Sequence, residues 1–276
     1  VRPAAGAFLL LLATAAASRG AGPPAQSPDY VQSTGLDQGA GRAAVAAARQ
    51  AAPDQCYYEF ELQIRPRRGD VRSIPGRLWA GRDDRGPVLR LVLDPGAPDE
   101  CRWLIQGGAE PAAWRGAAGA PAQSADLLEP LFPGVEITAF DLQMPFLYWP
   151  DSTLLSVTRL MGRPTYVMLF RPPAAFAGRH PGVATVRGYF DTQFKEPRQF
   201  EVWGAAANLR TVTVNDVKLD PPIVKEVDFR NENTRDTTRF EVMAAAVGLE
   251  LLPGIFTPAE LGADVAPPAG HLLVRL

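Results

Sequence analysis

Cysteine and histidine are almost missing from this chain, with two of each in 276 residues. A closed zinc site of thiolate and imidazole ligands takes four such side chains, so a metal centre of that kind is not expected, and no cofactor motif takes its place. Lysine is nearly as scarce: of 28 basic residues 25 are arginine, set against 30 acidic ones for a formal charge of −2. With no bulk positive field to collect phosphates, nucleic acid is not an expected partner. What the chain does have is core material. At 46% hydrophobic and 21% charged residues it suffices for one large domain or two small ones.

Long apolar stretches are confined to the start, where Arg2 precedes Ala4 to Ala17 with Phe8-Leu9-Leu10-Leu11-Leu12 and then the small residues Ala15-Ala16-Ala17. Charge, short apolar run and small residues in that order read as a secretory signal peptide over residues 1–20. The run is shorter than the roughly 20 residues of a spanning helix, so no stable membrane span is expected. Residues 21–39, rich in Gly, Pro, Ser and Gln, read as a flexible segment. Export to an oxidising compartment would allow Cys56 and Cys101 to form a disulfide. Two buried free thiols are the other reading, because spacing in sequence does not give the Cα separation that a bridge requires.

The alanine-rich stretch Gly41 to Ala52 predicts one helix that stops at Pro53. From Tyr57 the period changes to two, with Tyr58, Phe60, Leu62 and Ile64 alternating with Glu59, Glu61, Gln63 and Arg65, the pattern of a half-buried strand. Strand-like runs follow at 74–80, 88–93, 103–106, 154–160, 166–170, 184–190, 199–203, 209–219, 224–229 and 238–246. Turn residues such as Asp94-Pro95-Gly96 and Met161-Gly162-Arg163-Pro164 separate them. About eleven strands in succession, with no helices between most of them, predict a mainly β domain with a few helices, built as an antiparallel meander.

Residues 107–150 interrupt the meander. They end in the aromatic cluster Phe140 to Trp149, which includes Phe146 and Leu147. Apolar density without a period predicts short helices or loops lying over the sheet, either an ordinary core plug or a lid over a cavity. Alternation also names the strand residues that face the covered side: Phe60, Leu62, Leu78, Leu91, Val167, Leu169 and Val242. With Phe146 and Leu147 they are the nine candidates to line a lipid-binding apolar concavity, and a packed core would have the same pattern. No catalytic constellation accompanies them. His180 stands in the loop signature Gly178-Arg179-His180-Pro181, His271 lies near the C-terminus, and no serine occupies a nucleophile-elbow motif. Arg65, Arg67, Arg68 and Arg72 read as a solvated hairpin tip, with contact to anionic lipid headgroups as the alternative.

Taken in order, Gly162-Arg163-Pro164-Thr165-Tyr166-Val167-Met168-Leu169-Phe170-Arg171-Pro172, Val186 to Asp191, Gln199 to Trp203, Val224 to Arg230, Thr237 to Val242 and Phe256-Thr257-Pro258-Ala259-Glu260-Leu261 resemble the LolA-like outer-membrane lipoprotein-sorting proteins. The likeness covers residues 40–262 and leaves 263–276 as a tail. It implies a curved antiparallel half-barrel covered by short helices, whose concave side takes a lipid or a lipoprotein acyl chain in the periplasm, without catalysis. Donor or acceptor proteins of the envelope are the implied partners. It also implies that one early-strand arginine, among Arg65, Arg77 and Arg90, holds the lid by hydrogen bonds. The reading set beside it is an envelope structural or interaction protein with the same sheet and a collapsed cavity.

Overall fold

The computed structural model describes residues 31–50, 55–219 and 222–276, with the side chains of 218–222 outside that description; the expected signal peptide lies outside it too. The architecture is one antiparallel sheet, open and curved, with short helices on its inner side. Its first half is the meander β1 (Cys56–Arg65), β2 (Arg72–Asp83), β3 (Gly86–Leu93), β4 (Cys101–Gln106), β5 (Ala112–Gly116) and β6 (Gln123–Ala125). Its second half runs β7 (Asp151–Leu160), β8 (Arg163–Arg171), β9 (Thr185–Asp191), β10 (Pro197–Trp203), β11 (Asn208–Leu219), β12 (Pro222–Asn231) and β13 (Thr237–Val247). The two halves join where β1 pairs with β13, from Cys56 against Val247 to Arg65 against Thr237.

This order puts β6 and β7 on opposite outer edges. The chain between them therefore has to cross the sheet, and residues 126–150 do so over the inner face. That plug contains α2 (Ala139–Gln143) and a 3₁₀ turn, Pro145–Tyr148. Thirteen strands at about 4.8 Å spacing would make a flat sheet almost 60 Å wide. Curvature brings the halves close enough that side chains from β1 through β13 and from the plug form one apolar cluster.

Packing against this inner face explains the remaining elements. Helix α1 (Gln38–Gln50) buries Gly41, Ala44, Val45 and Ala48, one stripe at helical spacing. Gly41 lies so close to β7 and β8 that a methyl group there would meet Met168 Sδ at 2.8 Å. Helix α3 (Ala174–Arg179) adds Phe176 to the same cluster. Gly76, opposite Phe60 in the β1–β2 register, has no side chain because the Phe60 ring fills that space; an added Cβ would stand 2.2 Å from it. The ring instead stacks on Phe240 with centroids 4.2 Å apart.

Three sequence expectations change, and the two readings left open for the cysteines reduce to one. Among the described residues the strands number fourteen rather than about eleven, because β5 and β6 form inside 107–150 and β14 (Val274–Arg275) pairs with β13. Residues 263–276 are not a free tail, since Val265 and Leu273 pack on the outer face beside Tyr57, Trp79 and Val92. In the 21–39 segment, Gln32 exchanges backbone hydrogen bonds with Val157, and α1 begins at Gln38, before the predicted Gly41. Cys56 and Cys101 are buried free thiols. β2 and β3 separate their strands, about 14 Å along the sheet, twice the Cα separation that a disulfide spans.

Candidate functional site: the concave face and its plug

Strand parity decides which side chains face the plug. On β1 the inward set is Tyr58, Phe60, Leu62 and Ile64; β2 adds Leu78, β3 Leu89, Leu91 and Leu93, and β13 Phe240 and Val242. Seven of the nine residues expected to line the concavity thus meet in one cluster: Phe60, Leu62, Leu78, Leu91, Val242, Phe146 and Leu147, each no more than 2% exposed. Val167 and Leu169 do not join them. On β8 it is Met168 and Phe170 that enter the cluster, while Val167 lines a shallow groove of about 470 Å³ on the outer face with Arg187 and Tyr189. Tyr166 to Phe170 is apolar throughout, so alternation offers no choice of face; the contact of α1 with Met168 makes it.

The face is filled. Phe146 inserts between Phe170 and Phe200, with centroids 5.2 and 5.1 Å away. Phe140 and Trp149 pack against Phe176 at 5.6 and 5.0 Å. These rings occupy the position assigned to cargo. Sequence reasoning missed Phe200 and Phe240, although their alternation is readable, Phe170, which ends the run that is apolar on both faces, and Phe176, which lies in a β8–β9 connection with no strand or long-helix signal. A half-open pocket of about 590 Å³ near β4, β5 and β6, lined by Glu100, Cys101, Arg115 and Phe132 among others, contains none of the seven. Among the described residues no group of three or more His, Cys, Asp or Glu side chains is placed to hold a metal ion, and no helix is long and apolar enough to cross a membrane.

Directional bonds to the plug concentrate in 126–138, where Arg115 also pairs with Glu129 and His180 lies near Asp126, and thin out over 139–149. Trp103 Nε1 donates to Leu131 O at 2.7 Å and Gln143 Nε2 to Ile105 O at 2.9 Å, while Arg49 of α1 donates to Leu147 O. The polar anchor is at one rim, where β10 ends and β11 begins. There Thr138 caps α2 in a reciprocal capping box with Asp141. Arg210 reaches both, with Nη1 2.6 Å from Asp141 Oδ2 and 3.1 Å from Thr138 Oγ1. Glu136 beside them accepts from Asn231 Nδ2 at 3.0 Å, and its backbone N–H donates to Thr238 Oγ1 at 2.8 Å. Burial raises the pKa of both Asp141 and Glu136 above the ordinary carboxylate value, against the pull of Arg210.

Of Arg65, Arg77 and Arg90, the candidates to hold a covering segment, Arg90 holds one, but on the outer face. Fully buried, it donates from Nη1 to Ile255 O (3.0 Å) and Glu260 O (2.9 Å), and from Nη2 to Leu261 O (3.0 Å) and Ala263 O. Arg102 on the next strand donates to Gly262 O and Ala263 O and pairs with Glu100 and Asp264. The segment they fix, a strap over 255–264, includes the Phe256 to Leu261 motif. Arg65 donates to Gln63 instead. In the β1–β2 hairpin tip Arg67, Arg68 and Arg72 are exposed, and Arg72 donates to Pro133 O of the plug at 2.6 Å.

No protein-family model matches the chain, and no curated protein matches it in sequence. Solved structures do match in shape. A putative outer membrane lipoprotein-sorting protein domain from Vibrio parahaemolyticus superposes with a TM-score of 0.68 at 16% identity, over 79% of this chain and 97% of that one. A DUF1329 family protein from Desulfovibrio piger gives 0.69 at 12% identity over 81% and 98%, respectively. A LolA superfamily protein from Nitrosomonas europaea gives 0.58 at 11% over 74% and 90%.

Proposed function

We propose, from the premise that this chain has the LolA-like fold, that it is a periplasmic, non-catalytic carrier that takes the acyl chain of a lipid or lipoprotein onto the concave face when the plug is displaced. One observation carries the reading: the apolar inner face is crossed by a segment whose stretch 139–149 is mostly apolar and takes few directional bonds from the rest of the protein. Six of those side chains, Phe140, Leu142, Met144, Phe146, Leu147 and Trp149, are at most 5% exposed. At about 2 kcal/mol each they are worth on the order of 12 kcal/mol, close to the transfer of a sixteen-carbon chain at about 0.8 kcal/mol per CH₂. Plug and acyl chain are thus near-equal competitors for one surface, which suits a carrier that has to release what it binds. The neighbours' lipoprotein-sorting descriptions support cargo of that class.

The test is organic extraction and native mass spectrometry of the protein purified from envelope fractions. Co-purifying acyl lipid, lost in a Leu62→Glu variant that remains folded, supports carriage. The filled face itself favours the second reading, an envelope interaction protein with a permanent core. That reading gains if no lipid is retained and Leu62→Glu unfolds the chain.

A further inference from the structure

Arg210 shares its parity on β11 with Val212 and Val214, which are in the inner cluster. Its guanidinium therefore stands at the rim of the concave face rather than outside it. It pairs with Val202 of β10 and Asn231 of β12, and its side chain is 19% exposed. Among the described residues, the acceptors it reaches are Asp141 Oδ2 and Thr138 Oγ1, and the carboxylate beside them is Glu136. All three residues belong to the plug. If the plug leaves, as the proposed carriage requires, the guanidinium stays at the rim beside Val202 and Asn231 without the carboxylates it faces while the plug is closed, a partly buried charge that has lost its partner.

We infer that Arg210 is the head-group site of the cargo, selecting an acyl chain that ends in a carboxylate or phosphate, and that Asp141 occupies that site as an internal stand-in while the plug is closed. Two features make the stand-in displaceable. Arg210 engages it through one nitrogen, whereas a ligand carboxylate or phosphate can offer two oxygens to the guanidinium fork. Asp141 Oδ1 is also buried with no hydrogen-bond partner, and burial disfavours its charge; an anion arriving from solvent at an opened rim has neither handicap. The apolar path from this rim is the one taken by the plug itself, from Asp141 through Leu142 and Met144 to Phe146.

The inference rests on the carrier reading, and three single-chain probes separate the two. Oleate, oleyl phosphate and oleyl alcohol, titrated into the delipidated full chain, share a tail and differ in the head. The expected result is that both anions bind about tenfold or more tighter than the alcohol, that Arg210→Gln erases this preference while leaving alcohol affinity within about threefold, and that Asp141→Asn tightens the anions selectively. An Asp141→Asn/Arg210→Gln double variant, which leaves neither charge unpaired, supplies the same comparison if Arg210→Gln alone does not fold. Equal binding of the three probes by the parent protein, or a preference that survives loss of Arg210, overturns the head-group assignment and leaves carriage standing. Binding of none of the three overturns carriage itself.

Discussion

The two faces of the sheet are both covered by chain that is not part of the main meander, and the stretches at their centres, 255–264 outside and 139–149 inside, are held down in different ways. On the outer face, Arg90 and Arg102 fasten the 255–264 strap through a fan of charge-assisted bonds to backbone carbonyls. On the inner face, the plug rests on rings and aliphatic side chains, with its strongest polar tie at the Asp141–Arg210 end. Bonds to carbonyls are directional and specific to one geometry, whereas apolar contact is proportional to area and indifferent to what supplies it. On the proposed reading the strap stays in place while the 139–149 stretch of the plug exchanges with another apolar body.

The comparison breaks most visibly at Arg90. Truncation to Ala removes four bonds and leaves the carbonyls of Ile255, Glu260 and Leu261 without their guanidinium donor, for which a loss of about 4 kcal/mol is expected in urea unfolding, together with new protease sensitivity in the strap. A loss under about 1 kcal/mol would show that the strap is held by its apolar contacts alone. Phe146→Ala should cost about 3 kcal/mol, with faster amide exchange confined to the plug. If the strap loosened equally, the two coverings would be one cooperative unit.

A smaller effect concerns pH. Asp141 and Glu136 have folded pKa values raised by burial, so the folded state binds more protons than the unfolded one between the ordinary carboxylate value, about 4, and the raised values. In that window their contribution makes the protein more stable as pH falls, the reverse of the usual acid response. Asp141→Asn should flatten that slope in thermal melts recorded across the window, and an unchanged slope would assign it elsewhere. Smallest of all is the response to reductant: with Cys56 and Cys101 buried as free thiols and the Cys56 pKa raised to about 12, added dithiothreitol should leave the melting temperature unchanged. A drop would reveal a bridge.

How much of this was readable in advance follows from the range over which each feature is determined. The strands alternate locally, so Phe60, Leu62, Leu78, Leu91 and Val242 were placed on the right face by period alone. Val167 and Leu169 were not, because a run that is apolar on both faces takes its orientation from what packs on it, here α1 against Met168. The plug was visible as an aperiodic aromatic segment. That it must cross the sheet follows only from knowing that β6 and β7 are opposite edges. The bonds that distinguish the two coverings link residues 69 apart for Arg210–Asp141 and at least 165 apart for Arg90 and the strap. No local pattern singles out those arginines among 25. The cysteines stayed open between two readings for a related reason, since sequence spacing carries no information on how many strands intervene.

The central claim is that the plug and an acyl chain compete for the same surface, and hydrogen–deuterium exchange with and without saturating oleyl phosphate tests it most directly. The account predicts that the ligand speeds exchange across 139–149 while the amides of 255–264 and of β1 to β3 keep their protection. Ligand bound with the plug still protected would contradict it.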